Sequence, residues 1–210
     1  MSISIESSLP PGWGPRGIDG LLRAFPAGRL SEIVGPWSSG GTSLLLALMA
    51  RATASGHHVA LVDGADAFDP ASAVAAGADL SRFLWVKCGG RLRTAFSAAD
   101  LLARSPGFAL VALDLGDLSL IRREAIRPAL CLRLRIAAEQ SDTILVLRVP
   151  HRLAGSAAAL AVSVGRREPC WIGRPHPTRL AGLTSEIQVL RAPALSGQDR
   201  DQPRLIPWQL

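Results

Sequence analysis

Cysteine is scarce, lysine is nearly absent, and no apolar run approaches the length of a membrane span. The three cysteines, Cys88, Cys131 and Cys170, are odd in number and far apart, which argues against both a disulfide framework and a zinc site. They read as small buried hydrophobes. The start, MSISIE, has neither the basic residues nor the apolar block of a signal peptide, so a cytoplasmic chain is expected. Disorder is excluded by composition, with 48% hydrophobic and 19% charged residues. Lys87 is the only lysine, so the net charge of +6 is carried by arginine. It is uneven: residues 1–120 hold nine basic against ten acidic groups, residues 121–210 fourteen against seven. A basic half suits a phosphate backbone or an acidic protein, but also an ordinary solvated face. The second reading carries more weight, because the basic stretch has no aromatic interleaving.

At 210 residues the chain suits one domain with a sizeable core. Residues 1–16, rich in Ser, Pro and Gly, read as an irregular lead-in, 17–195 as the core and 196–210 as a tail. Within the core, 30–34 form a strand, 41–55 a helix with Gly56 as its stop, and 59–62 a buried strand ending at Asp63. A short helix follows over 70–78, then a strand over 83–86, a helix over 97–105 and a strand over 108–113 ending at Asp114. A helix over 128–140 leads to a strand over 143–147, and β character returns around 161–164 and 186–190. Strands alternating with helices predict a parallel α/β sheet.

Between the first strand and helix lies GPWSSGGTS, residues 35–43, which fits the phosphate-loop template G-x-x-x-x-G-K-[ST] except that Gly41 stands where the lysine belongs. In a complete loop the backbone N–H groups cradle phosphates, the lysine neutralises the β- and γ-oxygens, and the hydroxyl holds Mg²⁺. Gly35, Ser38, Ser39, Gly40 and Gly41 keep the cradle, and Thr42 and Ser43 keep the hydroxyls, although helix capping suits them better. Losing a charge-assisted hydrogen bond costs about 1.5–3 kcal/mol in binding. Losing a transition-state stabiliser costs on the order of 10²–10³ in rate. Trp37 either stacks on a base or fills the vacated phosphate pocket. Asp114 either holds a metal-bound water or caps the next turn.

The stretch 28–36, GRLSEIVGP, resembles the strand and loop entry of the RecA/RadA recombinase core, and Ser38-Ser39-Gly40 continues the likeness. VDGADAFDP at 62–70 is similar to the recombinase segment bearing the catalytic glutamate, and VALD at 111–114 to its metal-binding strand end. The likeness spans 16–195 and implies a RecA-like phosphate-loop core with a mostly parallel sheet flanked by helices. The departures bear on activity. The glutamate that activates water two residues past Asp63 is replaced by Ala65, which can neither take a proton nor orient water. Pro150 stands at the polar sensor after the 143–147 strand. The family's N-terminal clasp helix and the bacterial enzyme's C-terminal domain are expected to be missing. The expectation is a pseudo-ATPase with no catalytic residue, no bound cofactor and no metal.

Among RecA-like proteins the chain most resembles the ImuA type, in Leu84-Trp85-Val86, in 152–160 (RLAGSAAAL) and in the short tail. That resemblance implies an adaptor role in SOS-induced translesion mutagenesis, with an ImuB-type inactive Y-family polymerase homologue as partner. RecA and an error-prone replicative-type polymerase are implied as further contacts. Leu205, Ile206, Trp208 and Leu210 in the tail are candidate docking residues, a tryptophan being a strong interface anchor. A strand packed back on the core is the competing reading of that tail. Deleting 196–210 is expected to abolish partner binding and leave the thermal midpoint nearly unchanged. One alternative is a nucleotide-gated or residual ATPase using ATP and Mg²⁺, with Arg148 supplying the missing cation. Another is direct binding of single-stranded DNA by 122–135 and 148–179, with steep salt dependence.

Overall fold

The computed structural model describes residues 21–116, 126, 128–173, 179–192 and 204–209. The chain opens with strand β1 (Leu30–Val34), helix α1 (Gly41–Ala54) and strand β2 (His58–Asp63). Next come helix α2 (Pro70–Ala75), strand β3 (Phe83–Lys87), helix α3 (Leu92–Arg104) and strand β4 (Phe108–Asp114). Helix α4 (Pro128–Ser141) and strand β5 (Ile144–Val149) follow, then three long or late strands: β6 (Leu160–Ile172), β7 (Arg179–Arg191) and β8 (Arg204–Gln209). All eight strands form one sheet in the order β3-β2-β4-β5-β1-β6-β7-β8. Pairing is parallel from β3 through β6 and antiparallel for β6–β7 and β7–β8. The expected mostly parallel, helix-flanked sheet is what the chain forms.

Strand alternation sends neighbouring residues to opposite layers. Leu110 and Ala112 of β4 join Leu44, Leu45, Leu48 and Met49 of α1, whereas Val111 and Leu113 pack with α3 and α4 on the other side. Both faces are covered, which is why β2, β4 and β5 read as near-continuous apolar runs, broken in β5 by Arg148. Helix α1 stops where expected, with Gly56 left-handed at φ 84° just past its end. Helix α2 starts at Pro70, and the Asp69 carboxylate accepts from the N–H groups of Ala71 and Ser72 at 3.1 and 3.0 Å.

Several boundaries differ from the sequence reading. Helix α3 begins at Leu92 rather than Ser97. The left-handed pair Gly89-Gly90 ends the preceding turn, and Leu92, Ala95, Phe96, Ala99 and Ala103 form one buried face; Arg91, Arg93 and Thr94 disguise its start. Strands β6 and β7 run thirteen residues each, far beyond 161–164 and 186–190. Their register shifts at Ala161/Val162, Arg166/Glu168 and Cys170/Trp171. Such bulges let an antiparallel ladder continue through charged residues and Pro169, where the apolar pattern fails. The ladder continues past residue 195: β8 pairs with β7 from Gly182↔Gln209 to Ile187↔Arg204. Leu205, Ile206 and Trp208 are therefore part of an edge strand rather than a free arm, while Leu210 lies outside the described residues.

Candidate functional site

The carboxyl ends of β1, β2, β4 and β5 bring most of the candidate site residues together. Gly35 follows β1 directly, and its N–H donates to the Val149 carbonyl at 3.0 Å. A Cβ on Gly35 would lie 2.4 Å from the Val164 carbonyl oxygen and 2.7 Å from the Ser39 hydroxyl, so only glycine fits. The loop then turns through left-handed Ser38 (φ 57°) and Gly40 (φ 95°) into α1. Gly40 is the N-cap and supplies no side chain; Thr42 and Ser43 lie inside the first turn, Thr42 exposed. The cap is thus Gly40 rather than either hydroxyl, and both sit in the first turn. Ser39 is buried, and its carbonyl accepts from the Ser185 hydroxyl of β7. Trp37 is 52% exposed, so it does not fill the phosphate pocket.

Asp114 ends β4. Its Oδ1 accepts from the Gly116 N–H at 2.8 Å and from Arg148 Nη1 at 2.8 Å. The carboxylate therefore caps its turn and forms an ion pair with β5 at once. Arg148 is 8% exposed, and the Leu115 N–H donates to its carbonyl at 3.0 Å. Its Nε, like the Ser39 hydroxyl, has no protein partner among the described residues. Both lie beside Gly41: a Cβ built there would be 3.3 Å from Arg148 Nε and 3.6 Å from Ser39 Oγ. A side chain at 41 would start in tight contact with the guanidinium, which would have to give by a few tenths of an ångström.

Asp63, buried at the end of β2, serves the following loop. Its carboxylate accepts from the N–H groups of Ala67 and Phe68, each at 3.0 Å, and from Trp85 Nε1 at 3.2 Å. The Gly64 N–H donates to the Asp114 carbonyl at 2.8 Å, which joins the β2 and β4 ends. Ala65 lies across that junction, its Cβ 3.4 Å from where a Cβ on Gly116 would be. Ala65 thus faces the β4 turn with a methyl group.

Glu32 was not singled out from the sequence. It is fully buried in β1, and its Oε1 accepts from the N–H groups of Leu153 at 2.6 Å and Ala154 at 2.9 Å. Arg152 Nε lies 3.9 Å from its other oxygen. An acidic residue inside an apolar strand was the available signal, since such a charge is tolerated only with partners. Near it, burial pushes the Cys131 thiol up to about 11, with the Glu32 charge adding to the effect. Cys88 and Cys131 are both buried and free, as small hydrophobes should be.

The donor set does not match a magnesium-bound triphosphate. The loop has no lysine, and the Arg148 charge is neutralised by Asp114 at 2.8 Å. Among the described residues, no group of three or more His, Cys, Asp or Glu could hold a metal, and no helix is long and apolar enough to cross a membrane.

Sheet order, parallel core and a glycine loop between β1 and α1 define a RecA-like α/β protein. The family profile described as RecA N-terminal domain matches residues 15–127. The chain belongs to that family. It is 38% identical over 90 residues to Protein RecA of Borrelia hermsii, an alignment covering 43% of this chain and 25% of that protein. To Protein RecA of Chlorobaculum parvum it is 41% identical over 90 residues, covering 43% and 26%. The chain thus spans about a quarter of the length of these curated relatives. In fold it is similar to the RadB recombinase, with a TM-score of 0.61, 18% identity, and coverage of 86% of this chain and 87% of that one.

Proposed function

We propose that this chain is a non-catalytic RecA-like adaptor of the ImuA type, acting in damage-induced translesion mutagenesis through protein contacts rather than ATP hydrolysis. The observation that carries this reading is the Arg148–Asp114 ion pair beside Gly41. A working loop presents an uncompensated lysine to the phosphates; here the nearby cation and anion cancel. Ala65 removes the base, and a methyl group cannot replace it. The ImuB-type polymerase homologue remains the proposed partner, with RecA and an error-prone replicative-type polymerase as further contacts. Strand β8, last in the sheet among the described residues, is the proposed docking element, offering its edge to another strand.

The test is calorimetric titration with Mg-ATP, with and without single-stranded DNA, beside size-exclusion chromatography with the purified ImuB-type protein. Absence of heat up to about millimolar ATP, where binding is worth only about 4 kcal/mol, together with co-elution, is the expected result. Clear ATP binding strengthened by DNA would instead favour the nucleotide-gated reading, with Arg148 as the compensating cation.

A further inference from the structure

We infer that Gly41 and Arg148 are an interlocked pair: Arg148 occupies the room of the missing lysine side chain, and position 41 is glycine because of it. This rests on the non-catalytic reading above and names the residue that enforces it. The geometry is direct. Arg148 reaches in from β5, is held by Asp114 at 2.8 Å, and leaves its Nε 3.3 Å from where a Cβ at 41 would start. That spacing is tighter than ordinary van der Waals contact, and the side chain is pinned and buried, so it cannot swing aside freely. Gly41 has an ordinary negative φ, so its backbone does not require glycine. Steric room beside Arg148 is the constraint that remains.

Two consequences follow. Restoring the lysine alone does not restore a nucleotide site, because it sets a second cation against the guanidinium in a nearly buried position. Removing Arg148 as well frees both the room and the Asp114 carboxylate. Specificity against nucleotide is thus placed on β5, outside the loop.

The experiment is a double-variant cycle with two readouts. For Mg-ATP binding, Gly41→Lys alone stays at the wild-type background, while Gly41→Lys with Arg148→Gln binds at least about tenfold more tightly than either single variant, the scale of one charge-assisted hydrogen bond. For thermal stability, Gly41→Ala lowers the midpoint in the wild-type chain. In the Arg148→Gln background the same change is neutral or raises it, since alanine outranks glycine in a helix. Binding by Gly41→Lys alone, or equal effects of Gly41→Ala in both backgrounds, overturns the inference. Should Arg148→Gln fold poorly, Arg148→Lys takes its place in the stability cycle, because its shorter head group withdraws from position 41. Mg-ATP hydrolysis by the wild-type chain would defeat the non-catalytic reading, while the stability cycle would still decide the coupling.

Discussion

Single residues carry the chemistry, and they differ in how far the sequence exposes their roles. Gly41 and Ala65 are visible as departures from a template, because a template states what belongs there. Asp114 was open between metal ligand and cap, and only the position of Arg148 decides its partners. Glu32 was overlooked, since its role depends on backbone N–H groups more than a hundred residues away. Cys131 gives a prediction at this scale. Its thiol is held up to about 11 in the folded chain against an ordinary 9.0. A raised thiol value favours the protonated folded state, so this contribution is complete below pH 9 and is lost as pH rises toward 11. The loss amounts to roughly 2 kcal/mol. Urea midpoints of wild type and Cys131→Ala should converge over that range. Iodoacetamide at pH 8 should leave Cys131 unmodified until the chain unfolds; rapid labelling of the native protein would contradict its burial.

Elements were legible where a periodic pattern was clean and obscured where charge interrupted it. Helices α1 and α4 and strands β2, β4 and β5 fall within two residues of their expected ends. The start of α3 and the lengths of β6 and β7 do not, because tertiary pairing overrides local polarity there. Several polar contacts join α3 and α4, and one of them centres on a carboxylate. Asp100 on α3 accepts from Arg133 of α4 at 2.7 Å and from Arg104 at 3.2 Å. Burial works against its charged form, but the hydrogen bonds and charges of Arg133 and Arg104 outweigh it and hold the carboxyl below the usual range. Asp100→Asn should cost about 2 kcal/mol, less than the roughly 3–5 kcal/mol of a sealed pair, because Arg133 is largely exposed to water. A depressed carboxyl stabilises the fold above its unfolded value and loses that effect in acid. Wild type and Asp100→Asn should therefore differ in urea midpoint at pH 7 and converge as pH falls below the ordinary carboxyl value of 3.8. A difference that persists in acid would assign the effect to packing.

For the whole molecule, the alternation of strands and helices was enough to give the core, and it left the antiparallel extension unread. Strand β8 changes what a truncation should do. Deleting 204–210 strips a paired strand from β7 and bares its edge, so the thermal midpoint should fall and the protein should associate with itself. Calorimetry and light scattering check both, and an unchanged midpoint would mean that β8 adds nothing to the fold. Larger consequences attach to the ties across the sheet's carboxyl ends. Gly35 to Val149, Gly64 to Asp114, Leu115 to Arg148, Arg148 to Asp114 and Glu32 to the 153–154 backbone join β1, β2, β4 and β5 without any ligand. A ligand shifts a protein only by the difference in its affinity for two states. On the proposed reading no second state awaits a nucleotide, and this subunit cannot be timed by an ATP clock. How much of it the cell makes, and for how long, would then set how many of its partners are engaged.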